Sequence, residues 1–141
     1  MKYVETKAVI AASAEQIWAV LTDAKTLVQA DLGLIALDGL IAKDGRLKLR
    51  AEVSPKQVFK LKVVNYTPCH SMVWQGGMPF GLFTGRRQFT LRPAAAGTTL
   101  YMREEFTGPL SGLIWQSMPD LHPSFDRFVT GVKQLAERKA A

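Results

Sequence analysis

The chain has 141 residues, of which 48% are hydrophobic, 21% are charged and 9% are aromatic. This composition is typical of a globular protein and excludes the disordered and fibrous classes. A chain of this length buries enough surface to fold without a disulfide or a metal. Lys and Arg outnumber Asp and Glu by 18 to 12, and the formal charge of +6 suits an anionic partner such as nucleic acid, an acidic membrane or an anionic ligand. We expect one domain over residues 1–141.

Cysteine and histidine are too few to build a structural metal site. Cys69 is the single cysteine, and with only His70 and His122 beside it the ligand spacing of a zinc site is absent. We therefore expect no metal, no cofactor and a reducing, cytoplasmic setting. The first seven residues carry three charges instead of the apolar run of a signal peptide. No stretch approaches the roughly 20 apolar residues of a membrane span.

The N-terminal third predicts a strand followed by one or two short helices. Residues 2–10 alternate between apolar and polar, which is typical of a half-buried strand. Ser13 is followed three residues later by Gln16, and this capping arrangement predicts a helix that runs to about Asp23. Residues 24–41 combine a possible short second helix with an apolar passage, and the pattern leaves their structure open.

From Gly45 onward apolar and polar residues alternate, which predicts a run of about six strands with one wet face. The clearest hairpin joins residues 86–92 to residues 98–106 through a four-residue loop. If Pro93 faces Thr98, the same register pairs Leu91 with Leu100, Phe89 with Met102, and Arg87 with Glu104.

The C-terminal residues predict a long helix. Residues 110–118 are apolar enough for a buried turn or a short helix, and the long helix should begin near Pro119 or Pro123. Apolar residues then recur at spacings of four and three: Leu121, Phe125, Phe128, Val132 and Leu135. The order of elements predicts an α+β fold, in which a curved antiparallel sheet of six or seven strands wraps around the C-terminal helix.

Several segments together resemble the START-like superfamily, which includes the polyketide cyclase/dehydrase and lipid-transport proteins and has the helix-grip fold. The similar segments are residues 11–23, 85–91, 97–100 and 104–110, and the resemblance covers nearly the whole chain. It implies a hydrophobic cavity between the sheet and the C-terminal helix that holds a lipid, a polyketide-like molecule or a related small molecule.

Two departures limit what the resemblance implies. Many members carry a Trp-Asn-Pro-like stretch shortly after the first helix, whereas residues 28–32 read Val-Gln-Ala-Asp-Leu here. Some members have His on the strand where this chain has Arg87. Chemistry that depends on that His therefore does not carry over.

Arg87 and Glu104 are the most informative pair, because strand alternation places both charges on the apolar face of the hairpin. They form either a structural ion pair at the rim of the core or a site in which Glu104 orients Arg87 toward a carboxylate, phenolate or carbonyl of a ligand. Tyr66 and Tyr101 are further candidate polar groups. No nucleophile triad, phosphate-binding glycine loop or carboxylate pair is evident, and Cys69 is disfavoured as a nucleophile.

The expected cavity lining is apolar and aromatic, although the same residues also suit a plain core. The resemblance favours a pocket lined by Phe59, Leu61, Met72, Trp74, Phe80, Phe89, Met102, Ile114, Trp115, Met118 and Phe125, with Arg87 and Glu104 as its polar groups. Residues 76–83 are rich in Gly and apolar side chains, which suits either a gate over the pocket or a permanently packed loop.

Three functions remain open. The first is a non-catalytic protein that binds a hydrophobic or amphipathic small molecule. The second is a cyclase or dehydrase that uses Arg87 and Glu104 to polarise a carbonyl. The third is a protein-interaction domain that uses the basic face of the sheet, whose residues are Arg46, Lys48, Arg50, Lys60 and Lys62. Nucleic acid is disfavoured because the aromatics lie on the other face, while peripheral contact with an anionic membrane and a homodimer stay open.

Overall fold

The computed structural model describes residues 1–141 and contains seven strands and four helices. The strands are β1 (Lys2–Ile10), β2 (Leu34–Gly39), β3 (Arg46–Ala51), β4 (Ser54–Thr67), β5 (Ser71–Gly77), β6 (Thr84–Ala94) and β7 (Gly97–Thr107). The helices are α1 (Ala14–Leu21), α2 (Ala24–Gln29), α3 (Ser111–Ser117) and α4 (His122–Ala140), and a 3₁₀ turn spans Pro79–Gly81. None of the helices has the length and apolar character needed to cross a bilayer.

All seven strands form one antiparallel sheet in the order β1-β7-β6-β5-β4-β3-β2. Consecutive strands from β2 to β7 are neighbours, and β1 closes the order by pairing with β7. The curved sheet faces the long helix α4, so the predicted α+β helix-grip architecture is confirmed.

The β6–β7 hairpin has the register that the sequence predicts, with Leu91 opposite Leu100 and Arg87 opposite Glu104. Its turn is tighter than predicted, because Ala94 still pairs with Gly97 and only two residues remain unpaired. Gly97 has a φ of +143°, and a Cβ there would lie 2.1 Å from the carbonyl oxygen of Ile10. Glycine is therefore required for the end of β1 to approach this turn.

Helix α4 supplies one side of the core and the sheet supplies the other. Phe125, Phe128 and Val132 are buried on α4, and the Phe128 ring lies 5.9 Å from the ring of Phe89 on β6. Pro123 occupies the first turn, so the helix begins at one of the two predicted positions. The full apolar cluster contains 26 buried residues, drawn from the sheet, from α1, α2 and α4, and from the connecting segments, which contribute Ala12, Leu32 and Ile41.

The predicted helix after β1 is present as α1. Ser13 accepts a hydrogen bond from the backbone N–H of Gln16, and the Gln16 side chain accepts one from the N–H of Ser13, which confirms the capping box. The open region 24–41 forms α2 and the edge strand β2.

The region 110–118 has one of the two structures that its apolar residues predicted, a short helix and not a buried turn. It forms the short helix α3, in which no residue is buried and Leu113 is 69% exposed. Trp115 packs on the sheet, with its ring 5.6 Å from that of Phe106, and Met118, just after the helix, packs against the core. A seven-residue helix beside the end of the sheet has one face to pack, so Leu113 on the other face remains in solvent, while Ile114 is half-buried.

Candidate functional site

A pocket of about 200 Å³ lies between the inner face of the sheet and the first half of α4. Nine of its fifteen lining residues are hydrophobic. The lining comprises Leu32, Gly33, Leu34, Leu49, Ala51, Glu52, Val53, Arg87, Met102, Leu121, Pro123, Ser124, Phe125, Arg127 and Phe128. The pocket is smaller than the roughly 300–1,000 Å³ typical of sites for drug-sized ligands, so it suits a small molecule.

Arg87 and Glu104 form an ion pair at the sheet side of this pocket. Arg87 Nε donates to Glu104 Oε1 over 2.8 Å, and the two side chains are only 19% and 17% exposed. Gly85 makes room for the carboxylate, because a Cβ there would lie 2.9 Å from Glu104 Oε2. The guanidinium carbon of Arg87 sits 4.7 Å from the centre of the Phe125 ring, a cation–π arrangement that joins the sheet to α4.

The terminal nitrogens of Arg87 have no hydrogen-bond partner within the protein, since its one side-chain hydrogen bond comes from Nε. Arginine offers five N–H donors in a fixed plane. The donors on Nη1 and Nη2 of a pocket-lining Arg87 are thus free for an oxygen acceptor. An apolar pocket with one such fixed donor group has the composition of a small-molecule site.

Arg127 on α4 lies at the solvent side of the pocket and joins three parts of the chain. Its Nη1 donates to Glu52 Oε1 over 3.2 Å, its Nη2 donates to the carboxylate of Asp31, and its Nε donates to the Asp31 carbonyl oxygen over 3.3 Å. Hydrogen bonds from the guanidinium to Asp31 and, to a lesser extent, to Glu52 raise the pKa of Arg127 above its usual value. We call Arg127, Asp31 and Glu52 the mouth triad.

The two tyrosines that were candidate polar groups make contacts away from the pocket. The hydroxyl of Tyr66 accepts a hydrogen bond from Trp18 Nε1 over 3.3 Å. Tyr101 lies on the outer face of the sheet, 38% exposed, with Arg92 and Lys7 near its ring. Neither tyrosine lines the pocket.

Trp74 Nε1 is the one buried side-chain polar atom without a hydrogen-bond partner. Trp74 is directly opposite Arg87 on the neighbouring strand, and its ring packs against Phe89 with centroids 4.8 Å apart. Buried donors are nearly always paired in native proteins, so this N–H is an unusual feature of the interior.

The predicted site residues fall into three groups in the structure. Those that line the pocket are Arg87, Met102 and Phe125, with Glu104 bonded to Arg87. Those that lie elsewhere in or against the core are Phe59, Leu61, Met72, Trp74, Phe89, Trp115 and Met118. Ile114 is half-buried on α3, and Phe80 is 99% exposed at the tip of the β5–β6 connection. Phe80 therefore does not line the pocket in this conformation.

No pattern in the sequence indicated the side of the pocket that faces solvent. Leu32, Glu52 and Arg127 come from a loop, a turn and a helix that no local pattern connects. The alternation of β3 indicated that Leu49 points inward, and the helical stripe indicated Phe128, so these two had a readable signal.

Histidine and cysteine do not gather at the pocket. Cys69 is half-buried in the β4–β5 turn, and the exposed His70 faces the carbonyl oxygen of Pro68. His122 is 61% exposed at the start of α4, where its Nδ1 lies 2.8 Å from Asp120 Oδ1. No group of three or more His, Cys, Asp and Glu side chains is arranged to hold a metal ion.

The basic residues of β3 and β4 lie on the outer face of the sheet. Arg46 is directly opposite Lys62, and Lys48 is directly opposite Lys60. None of the four forms an ion pair, although like charges in such positions repel each other. The charge excess of the chain is therefore concentrated away from the pocket.

Solved structures similar to this one cover almost the whole chain. A Mesorhizobium loti protein, MLL2253, superposes with a TM-score of 0.74 and 20% identity, covering 97% of this chain and 98% of its own. The ZhuI aromatase/cyclase from a Streptomyces species has a TM-score of 0.74 and 14% identity, covering 99% and 96%. The Aha1 dimer from Colwellia psychrerythraea has a TM-score of 0.73 and 18% identity, covering 97% of each chain. At these identities the likeness shows the fold.

Among curated proteins, none matches the sequence. The family model described as "Polyketide cyclase / dehydrase and lipid transport" matches residues 1–137, which is nearly the full length. The resemblance found in the sequence is thereby confirmed, and its family accommodates both ligand-binding and cyclase roles. The chain belongs to the polyketide cyclase/dehydrase and lipid-transport family.

Proposed function

We propose that the protein binds a small hydrophobic or amphipathic molecule in the pocket between the sheet and α4. The observation that carries this proposal is Arg87, whose terminal donors are unpartnered in a largely apolar pocket. The apolar part of the ligand would contact Met102, Phe125 and Phe128, and an oxygen of the ligand would accept from Arg87. Family membership supports the same reading, because the family includes lipid-transport proteins.

Glu104 has a positioning role in this proposal. Its hydrogen bond to Nε fixes the plane of the guanidinium, so that Nη1 and Nη2 keep one direction. A donor that is already fixed loses less conformational entropy when a ligand binds than a free arginine does.

A matched pair of probes tests the proposal. Acetylnaphthalene and ethylnaphthalene have nearly the same shape, but only the first carries a carbonyl acceptor. We expect the wild-type protein to bind acetylnaphthalene about tenfold more tightly in a fluorescence titration, since a hydrogen bond to a charged donor contributes roughly 1.5–3 kcal/mol before desolvation of the ligand is subtracted. Arg87→Met should remove this preference while ethylnaphthalene still binds.

Arg86→Met is the matched control, because Arg86 is the adjacent residue on the outer face and bonds to Gln75. Native mass spectrometry of the freshly purified protein adds an independent readout through any co-purified small molecule. Absence of binding to both naphthalenes, or a carbonyl preference that survives Arg87→Met, would contradict the proposal.

The second candidate function is a cyclase or dehydrase, in which Arg87 polarises a carbonyl of a polyketide-like substrate. The same free donors support it, because a donor directed at a carbonyl oxygen stabilises the negative charge that develops there. Turnover of a polyketide-like substrate that is lost in Glu104→Gln, while the affinity for acetylnaphthalene is kept, would favour this function over binding alone.

A further inference from the structure

On one side the chain covers the pocket only in part, and the pocket is open to solvent there. Its exposed lining residues are Glu52 and Val53, in the turn between β3 and β4, and Pro123 in the first turn of α4. The segment from Asp31 to Gly33, between α2 and β2, lies beside this opening and contributes Leu32 and Gly33 to the lining. We call residues 31–33 the cover segment.

Leu32 occupies a notch in α4. It is 2% exposed, and a Cβ on Gly131 would lie 1.7 Å from its Cδ2 atom, so a side chain at position 131 would displace it. Leu32 also lines a second, more polar groove of about 380 Å³ between α2 and α4. One leucine side chain therefore separates the pocket from the neighbouring groove.

The mouth triad holds the cover segment in place. Arg127 bonds to both the carboxylate and the carbonyl of Asp31 and to the carboxylate of Glu52. The backbone adds one hydrogen bond, from the N–H of Glu52 to the carbonyl oxygen of Gly33 over 2.9 Å. The side chains of the triad are 38%, 90% and 55% exposed for Arg127, Asp31 and Glu52, so water and salt reach the ion pairs.

We propose that the cover segment is the portal through which ligand enters and leaves the pocket, with Leu32 as its plug and the mouth triad as its latch. This inference rests on the proposed function, because it assigns the route to that binding site. Opening requires Arg127 to release Asp31, and exposed ion pairs of this kind are weak and sensitive to salt. Gly33 has a φ of +86°, a conformation that glycine adopts without strain, and it lies between the plug and β2.

The rate of ligand exchange is the direct test of the latch. Prodan, an environment-sensitive dye with a naphthalene ring and a ketone, is the probe in a stopped-flow experiment. Arg127→Met should raise both the association and the dissociation rate of Prodan about three- to tenfold, as expected for the loss of two exposed ion pairs. The wild-type rates should rise in the same direction between about 0.05 M and 0.5 M NaCl, because salt screens the pairs.

Arg103→Met is the matched control. Arg103 also bonds to two carboxylates, those of Glu5 and Glu105, and is 33% exposed, but it lies on the outer face of the sheet. Its substitution should leave the Prodan rates unchanged. Equal acceleration in Arg103→Met and Arg127→Met would overturn the latch.

A disulfide across the plug tests the portal within one chain. The ideal Cβ position at Gly131 lies 3.2 Å from Leu32 Cγ, the atom whose place a cysteine sulfur would take, so the pair Leu32→Cys and Gly131→Cys is close enough to form a disulfide. Cys69→Ser in the same chain removes the native thiol. Oxidation should slow Prodan exchange at least tenfold, and reduction should restore it; equal rates in the oxidised and reduced forms would overturn the portal.

The two proposals fail in different ways. If Prodan does not bind the wild-type protein, or acetylnaphthalene does not compete with it, the proposed function fails and the portal fails with it. If Prodan binds competitively but neither Arg127→Met nor the disulfide alters its exchange rate, the portal alone is wrong. The comparison of oxidised with reduced protein uses the same folded chain, so a folding defect does not imitate the result.

Discussion

Replacing Arg87 by methionine should destabilise the folded protein, because it leaves the Glu104 carboxylate without its cation. The Glu104 side chain is 17% exposed and lies on the inner face of β7, between the buried residues Met102 and Phe106. Removing one partner of a fully buried pair costs roughly 3–5 kcal/mol. Since about a fifth of this pair is open to water, we expect a loss of about 2 kcal/mol for Arg87→Met.

Urea denaturation at neutral pH measures this loss. With a denaturant slope of about 2 kcal/mol per molar urea, a loss of about 2 kcal/mol moves the midpoint down by about 1 M. Glu104→Gln should also destabilise, and the double variant Arg87→Met with Glu104→Gln should regain part of the loss, since no uncompensated charge remains. The expected coupling energy is about 1–2 kcal/mol. A double variant as unstable as the two single losses combined would refute the coupling, and Arg103→Met, which breaks exposed pairs only, is the control.

Three further changes test other parts of the structure. Trp74→Phe removes the unpartnered buried N–H, and the desolvation penalty of roughly 1–3 kcal/mol that disappears with it should offset most of the packing energy lost with the larger ring. A decrease in the free energy of unfolding above about 3 kcal/mol in urea, as for an ordinary core truncation, would contradict this. Phe80→Gly should raise the free energy of unfolding by about 0.5–1 kcal/mol, because Phe80 is fully exposed at a φ of +61°; a loss of stability would mean that its ring packs on something in solution. Hydrogen bonds from the N–H of Ala11 and, to a lesser extent, from Lys133 lower the pKa of Glu137. The contribution of Glu137 to the stability of the fold is therefore present above the unfolded pKa of about 4.3 and disappears as the pH falls through the lower folded pKa. The difference in melting temperature between wild type and Glu137→Gln should therefore shrink on acidification from neutral pH to about pH 3, and a constant difference would contradict the assignment.

The hairpin and the long helix were predictable because their signals are local. Alternation along β6 and β7, together with one assumed facing pair, fixes which residues meet, and Phe89 opposite Met102 followed directly. The spacing of Phe125 and Phe128 placed both on the inner face of α4. Such periodic patterns can be recognised from residues that lie within a few positions of each other in the sequence.

The solvent side of the pocket was not predictable, because its contacts join distant positions. Arg127 meets Glu52 and Asp31, which are 75 and 96 residues away in the sequence, and no motif marks the three as partners. Phe80 could not be placed for a different reason, since a large apolar side chain in a Gly-rich connection is compatible with burial or with exposure. Only the path of the backbone decides between these outcomes.

The charges at the pocket favour a neutral polar group over an anionic one. Glu104 already neutralises Arg87, and the mouth triad contains two carboxylates against one guanidinium, whereas the free cations of β3 and β4 lie on the opposite face of the sheet. A ligand carboxylate would gain from Arg87 but would also meet the repulsion of these acids in a partly buried site, where charges interact strongly. We therefore expect naphthoate to bind less tightly than acetylnaphthalene at neutral pH, and to gain affinity in Glu104→Gln, where one acid is removed. Tighter binding of naphthoate than of acetylnaphthalene to the wild-type protein would show that the attraction of Arg87 outweighs the repulsion of these acids. The electrostatic potential in the pocket would then be positive, in keeping with the overall charge of +6.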